Sequence, residues 1–154
     1  MNGRTDQDSF FMRLALEEAM RAFVEGEVPV GAVLVRNGEI LKKAHNLREN
    51  LKDPSAHAEI LVLRSSAEMS GSWRLCEATL YVTKEPCIMC SGAMINSRIA
   101  RLVYGCGDQK AGGVDSLYAI LSDKRLNHQV EVLSGVLEEE CAAILKRFFQ
   151  ERRC

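Results

Sequence analysis

Two short segments of the 154-residue chain carry residue types that bind metal ions and move protons. One contains His57 and Glu59, and the other places Cys87 and Cys90 three positions apart, directly after Pro86. Zinc accepts imidazole nitrogen and thiolate sulfur, and residues i and i+3 of a helix are neighbours. His57, Cys87 and Cys90 are therefore candidate ligands of one zinc ion. Three protein ligands would leave a fourth position for water, which is typical of a catalytic zinc.

Glu59 is a candidate acid–base residue rather than a ligand. Residues i and i+2 do not face each other on a regular helix, so His57 and Glu59 can flank one metal only beyond the helix end. There Glu59 would exchange protons with a water that zinc makes more acidic. Taken singly, a C-x-x-C pair can be core or redox thiols, and a lone His or Glu can be a surface residue. The joint order H-x-E then P-C-x-x-C is the signature of zinc nucleobase deaminases.

Composition and charge narrow the class of protein. The apolar fraction of 47% and charged fraction of 27% are typical of a globular protein. The 20 Lys+Arg residues balance 21 Asp+Glu, which argues against a general polyanion binder but permits a local basic patch. We expect one domain over residues 1–154, no membrane span and no signal peptide, hence a cytoplasmic protein. In that compartment the six cysteines are expected as ligands, catalytic thiols or buried side chains.

The elements that must position these residues follow from hydrophobic periodicity and turn signals. The predicted helices span residues 11–23, 55–69, 85–96, 117–121 and 138–152. The predicted strands span residues 30–35, 39–45, 79–83, 101–104 and 131–133. Asp8 or Ser9 is expected to cap the first helix, Asp53-Pro54 to begin the second, and Asn37-Gly38 to form a hairpin turn. The order predicts an α/β fold of three layers, α/β/α, with a mixed, mostly five-stranded sheet.

The sequence resembles the bacterial tRNA-specific adenosine deaminases of the cytidine deaminase-like superfamily, and the likeness covers almost the whole chain. The segments that carry it are residues 27–35, 56–60, 78–83, 85–90, 92–99, 127–128 and 139–142. The resemblance implies a cytidine deaminase-like fold, one zinc ion (Zn2+) per subunit and a homodimer. It also implies hydrolytic deamination of adenosine to inosine at the wobble position of a tRNA anticodon.

The resemblance gives the ligand and proton-shuttle roles to the four residues named above and adds substrate contacts. Asn46 would hydrogen-bond the target nucleoside, Val30 would wall the base pocket, and Asp108 would lie near the flanking nucleotides. Alternatively, Asn46 and Asp108 are ordinary turn residues, and Val30 is a core residue under either interpretation. Two positions depart from the expected pattern, because Lys84 replaces an apolar residue and Cys106 replaces an alanine.

The end of the chain favours an RNA substrate over a free base. Phe148 and Phe149 can stack on or shape a base site, and Phe149 is therefore a candidate substrate contact. Nearby cations could meet phosphates; these are Lys146, Arg147, Arg152 and Arg153. The alternative interpretation is that the two rings belong to the core and the cations only cap a helix.

Two other functions remain to be distinguished. A deaminase of a free base or nucleoside, of the guanine or cytosine type, would use the same zinc chemistry and differ only in its pocket and outer contacts. A non-catalytic zinc module that serves as a partner subunit would be expected to lack the acid–base glutamate. The presence of Glu59 argues against the second of these.

Overall fold

The computed structural model describes residues 5–152, and its centre is one five-stranded sheet. The strands are β1 (Gly31–Arg36), β2 (Glu39–His45), β3 (Thr79–Lys84), β4 (Arg101–Cys106) and β5 (Glu131–Ser134). The helices are α1 (Asp6–Val24), α2 (Ala58–Ser70), α3 (Ile88–Ser97) and α4 (Glu138–Glu151). The strand order is β2-β1-β3-β4-β5, with β1 antiparallel to both neighbours and β3, β4 and β5 parallel. This confirms the predicted three-layer fold with a mixed sheet.

Both faces of the sheet are apolar, because successive strand residues point to opposite sides and both sets are hydrophobic. On β3, Leu80 and Val82 join the core beneath α2 and α3, whereas Tyr81 joins the core beneath α1 and α4. The close approach of α1 requires Gly31, since a Cβ there would overlap the α1 backbone. The layers therefore hold α2 and α3 together on one face, which is where the candidate ligands lie.

Helix α1 is capped by Thr5, so the predicted caps, Asp8 and Ser9, are wrong. The Thr5 hydroxyl accepts the Asp8 N–H at 3.1 Å, and the Asp8 carboxylate accepts the Thr5 N–H at 3.2 Å, which is a capping box. Asp8 also accepts two hydrogen bonds from Arg101 at 2.9 Å and one from Tyr81 at 2.8 Å. Burial alone would raise the pKa of Asp8, but these partners lower it. The cap thus also ties α1 to β3 and β4.

Two helices begin later than predicted. The Asp53 carboxylate accepts the Ser55 N–H at 2.8 Å and the Ser55 hydroxyl at 2.7 Å, so Asp53-Pro54 closes a local turn instead of starting α2. Helix α2 begins only after His57, and α3 begins after Cys87 rather than at Glu85. The delay makes His57 and Cys87 the N-cap residues of their helices.

Helix α1 begins at Asp6, five residues before the predicted start, and residues 117–121 contribute only to a 3₁₀ turn at Ile120–Ser122. The remaining bounds agree with the prediction to within two residues. Both turn residues of the hairpin, Asn37 and Gly38, have positive φ angles of 54° and 77°, as a tight two-residue turn requires. The five cysteines within residues 5–152 are free thiols, and Cys154 lies outside the described residues. None of the described helices has the length and apolar character needed to cross a membrane.

Candidate functional site

Three potential metal ligands meet where the N-termini of α2 and α3 converge. The Nδ1 atom of His57 lies 3.6 Å from the Cys87 sulfur and 3.5 Å from the Cys90 sulfur. In a tetrahedral site with zinc bonds of about 2.0–2.3 Å, two ligand atoms are separated by roughly 3.3–3.8 Å. The nitrogen and sulfur atoms therefore already stand at the separations that one zinc ion requires. The three sequence-predicted ligands are the group in residues 5–152 whose donor atoms are suitably clustered.

The local backbone turns these side chains toward each other. His57 and Cys87 have extended backbone angles as N-caps, and their carbonyl groups begin the helices by accepting the N–H groups of Leu61 and Ser91. The two side chains meet between the helices, with Nδ1 of His57 3.6 Å from the Cys87 sulfur, so both can reach a ligand there. The unpaired N–H groups and the dipole of a helix N-terminus also favour negative charge, which a thiolate provides.

The electrostatics of the cluster favour one thiolate and make metal binding compete with protons. The Cys90 thiol and His57 lower the pKa of Cys87 to about 4 although burial opposes this, which favours the thiolate form of Cys87. The neighbouring Cys87 sulfur and burial raise the pKa of Cys90. Contact with Cys87 raises the pKa of His57. A metal that binds here must therefore displace the Cys90 proton, and such competition makes metal affinity depend on pH.

Glu59 lies in the first turn of α2 and lines the same cleft as His57. Glu59 comes two residues after the N-cap, His57. The two side chains can therefore flank a metal that lies beyond the end of the helix, as their spacing in the sequence led us to expect. Only 4% of Glu59 is exposed, and this burial raises the pKa of its carboxyl group. A carboxyl group whose pKa is shifted toward neutrality can both accept and donate a proton, as acid–base catalysis demands.

A cleft of about 280 Å³ opens from the ligand cluster to the surface. The predicted substrate contacts all line it: Val30, Asn46, Asp108 and Phe149. Cys90 is buried behind the lining. Sequence reasoning missed other lining residues, which are Val28, Arg48, Ala58, Lys84, Glu85 and Ala111. Apolar walls with a few polar groups are typical of a site for a small planar group such as a base.

Asn46 is both a turn residue and a cleft residue. Its Oδ1 accepts the Arg48 N–H at 3.1 Å, and its Nδ2 donates to the Val28 carbonyl at 3.2 Å. These bonds hold the amide in one orientation. One N–H and one oxygen lone pair remain for a ligand, because an amide offers two of each.

The two C-terminal aromatic residues have different environments. Phe148 is 4% exposed and belongs to the core, whereas Phe149 is 48% exposed and lines the cleft. The Arg152 guanidinium lies 4.1 Å from the centre of the Phe148 ring, and Arg147 pairs with an acid on its own helix at 3.0 Å. Phe148 is therefore a core residue, whereas Phe149 faces the cleft. Arg147 and Arg152 both have contacts within the protein. Arg153 lies outside the described residues.

Glu85 organises one wall of the cleft, a role that the sequence did not reveal. Its buried carboxylate accepts a hydroxyl and four backbone N–H groups from one loop. The donors are the N–H groups of Asp108 (3.0 Å), Val114 (3.1 Å), Asp115 (2.8 Å) and Ser116 (2.9 Å), and the Ser116 hydroxyl. Burial would raise the pKa of Glu85, but these donors lower it to about 2. Gly112 is required at this point, since a Cβ there would overlap the carboxylate.

The two departures from the family pattern prove to be neighbours. Lys84 and Cys106 are register partners across the parallel strands β3 and β4. The Lys84 ammonium lies 3.1 Å from an Asp108 carboxylate oxygen, and Cys106 is buried beside it. The unusual lysine is therefore accommodated by an ion pair in the cleft wall.

The family model, the relative and the two solved structures that resemble this chain are all described as deaminases. The MafB19-like deaminase family matches residues 5–153. A tRNA-specific adenosine deaminase of Bacillus subtilis is 52% identical over 147 residues, covering 96% of this chain and 91% of that protein. A solved structure from work on A-to-I editing by tRNA:A34 deaminases at the wobble position is 46% identical, with a TM-score of 0.86 over 89% of this chain and 99% of that chain. A guanine deaminase from Nitrosomonas europaea, 20% identical with a TM-score of 0.81 over 91% of this chain and 83% of that chain, shares the fold.

The role of Glu85 can be tested by Glu85→Gln, which places an amide NH2 against backbone N–H groups that need an acceptor. Leaving such groups unpaired costs about 1–3 kcal/mol, so the melting temperature should fall. Hydrogen exchange should accelerate at the amides of residues 108 and 114–116. The exposed Glu49→Gln variant is the matched control. Unchanged exchange in that loop would contradict the assignment.

Proposed function

The chain belongs to the MafB19-like deaminase family and to the tRNA-specific adenosine deaminases, and from that premise we propose that it hydrolyses adenosine to inosine at the wobble position of a tRNA anticodon. The observation that carries the proposal is the His57–Cys87–Cys90 cluster at the floor of a cleft that Glu59 also lines. We treat residues 1–154 as one deaminase domain that acts in the cytoplasm, where its tRNA substrate would be.

We assign zinc as the cofactor, one ion per chain, with Nδ1 of His57 and the sulfurs of Cys87 and Cys90 as its ligands. The fit rests on the 3.5 Å and 3.6 Å separations of these atoms and on the preference of zinc for nitrogen and thiolate donors. When bound, zinc supplies the Lewis acidity that lets a water molecule lose its proton near neutral pH. The other steps belong to the residues of the chain.

Glu59 carries the protons in this mechanism. It accepts a proton from the attacking water and delivers it to N1 of the adenine ring while the new C6–O bond forms. Glu59 then passes the proton of the new C6 hydroxyl group to the 6-amino group, the C6–N bond breaks as the C6=O bond forms, and ammonia leaves. The burial of Glu59 supports this role, because it raises the carboxyl pKa and keeps bulk water away from the transferring protons.

The cleft suits a base taken out of a loop. An anticodon nucleotide is not locked in a duplex, so its base can be turned into a pocket at low cost. Val30 would pack against the base, and the free amide valences of Asn46 would bind the nucleoside. Asp108 and Phe149, on other parts of the rim, would face the flanking nucleotides. Arg48 also lines the cleft and has no ion pair among residues 5–152. Its positive charge is therefore available to bind a phosphate of the RNA.

We also propose that the protein is a homodimer. Several apolar side chains on the α2–α3 side of the sheet are more than one-third exposed, and such a patch is typical of an interface. They are Met69, Trp73, Ile88 and Met89. Since Ile88 and Met89 directly follow Cys87, a second subunit there would lie close to the cleft.

The proposed substrate is tested by a panel followed for ammonia release and inosine. The panel contains an anticodon stem-loop RNA with adenosine at the wobble position, the same RNA with that adenosine moved one nucleotide, free adenosine, guanine and cytosine. We expect rapid deamination of the first RNA alone. Deamination of guanine or cytosine without reaction of either RNA would favour the free-base alternative and overturn the proposal.

Metal analysis tests the cofactor. Purified protein should contain one zinc per chain, and the Cys87→Ala, Cys90→Ala double variant should lose it. The melting temperature should fall as well, because zinc binding is coupled to folding. Cys76→Ala removes an exposed thiol and is the matched control, which should keep its zinc. Undiminished zinc in the double variant would rule out this ligand set.

The proton-shuttle role is tested by Glu59→Ala. The variant should keep its zinc and its fold but lose activity by about 10²–10⁴-fold, the usual contribution of acid–base catalysis. Glu49→Ala removes an exposed carboxylate and should retain activity. Substantial activity in Glu59→Ala would remove this residue from the mechanism, and loss of zinc would make it a ligand instead.

A further inference from the structure

Lys84 places a positive charge inside the cleft at a point that the proposed mechanism does not use. It is the last residue of β3, its side chain is 29% exposed, and it lines the cleft with Asp108. The Nζ atom lies 3.1 Å from Oδ2 of Asp108, whose side chain is 13% exposed. A largely shielded ion pair therefore forms part of the wall that an incoming substrate must pass.

Asp108 is held at both carboxylate oxygens. Oδ1 accepts the N–H groups of Lys110 at 3.0 Å and Ala111 at 3.2 Å, while Oδ2 faces Lys84. The backbone N–H of Asp108 in turn donates to Glu85 at 3.0 Å. The backbone thus fixes the carboxylate from one side, and Lys84 is the cation that fixes and neutralises it from the other.

The charge of this pair matters because the proposed substrate is a polyanion. The two other carboxylates that line the cleft are shielded, since Glu59 is buried and Glu85 is surrounded by donors from its loop. Asp108 lies nearer the rim, where a carboxylate without a counter-ion would repel the phosphates of an RNA strand. The ion pair with Lys84 makes that part of the rim neutral.

We propose that Lys84 is a specificity-determining positioning residue, which holds the Asp108 carboxylate against the cleft wall and neutralises it so that the RNA backbone can enter. The inference rests on the proposed RNA substrate. It assigns Lys84 an action through Asp108 rather than a contact with the reacting base. The two residues should consequently be coupled, and the coupling between them should appear in RNA binding. Burial raises the pKa of Glu59 and the Lys84 charge opposes this, so any direct effect of Lys84 on kcat should be independent of Asp108.

The test is a double-mutant cycle with Lys84→Gln and Asp108→Asn, measuring kcat and KM for the anticodon stem-loop across a salt series. Lys84→Gln leaves a bare carboxylate, so kcat/KM at low salt should fall by at least roughly two- to fivefold, the scale of an ion pair that is more exposed than this one, mainly through KM. The dependence of log kcat/KM on log salt should become shallower, by up to about 0.7, because the uncompensated carboxylate offsets one phosphate contact made elsewhere on the cleft.

Asp108→Asn frees the ammonium instead, so the salt dependence should become steeper by about 0.7. The double variant restores a neutral wall and should return close to the wild-type slope. Lys84→Arg keeps the charge and should keep the slope. Lys42→Gln makes the same change of net charge on exposed β2, outside the cleft, and should leave the slope unchanged.

Wild-type slopes in both single variants would overturn the inference and leave the proposed function intact, provided that wild-type protein deaminates the RNA. Wild-type protein inactive on the RNA would overturn both. If Lys84→Gln fails to fold, Asp108→Asn still decides, because an unchanged slope in that variant contradicts a released ammonium.

Discussion

The convergence of two helix N-termini is the constraint on which the site depends. His57 and Cys87 are N-cap residues of α2 and α3, and Nδ1 of His57 stands 3.5–3.6 Å from both sulfurs. Two sulfurs and a nitrogen this close repel one another once both sulfurs are thiolates, unless a cation or shared protons lie between them. The sheet and its two apolar faces maintain this arrangement, because they fix α2 and α3 against the same side.

Two buried glutamates hold the loops that flank the cleft. Glu85 accepts hydrogen bonds from the loop that carries Asp108. Glu27 does the same on the other side, where its carboxylate accepts the N–H groups of Glu49 at 2.9 Å and Asn50 at 2.7 Å. Irregular loops have many backbone donors, and a carboxylate can satisfy several of them at once. The cleft therefore has well-ordered walls although neither loop belongs to the sheet.

The charges near the cleft are mostly paired within the protein. Lys84 neutralises Asp108, Arg147 bonds its own helix, and Arg152 packs on an aromatic ring. A chain with a net charge of −1 must attract RNA through a local surface rather than through its overall charge. Arg48, which lines the cleft without an ion pair among the described residues, is consistent with such a surface.

The sequence by itself determined the fold class, the order of the elements and the candidate ligands. Short apolar strand segments, the Asn37-Gly38 turn and the i, i+3 cysteine spacing are local patterns, and local geometry is enough to interpret them. Only the tertiary structure decided which residues Glu85 and Lys84 contact, which of the two C-terminal phenylalanines faces the cleft, and where α2 begins. Some of these outcomes depend on groups that are distant in the sequence, such as Glu85 and its partners up to 31 residues away. Others depend on a choice between local hydrogen bonds, as at Asp53, which closes a turn with Ser55 instead of capping a helix. Packing of the whole chain selects among such alternatives, and no short pattern encodes that selection.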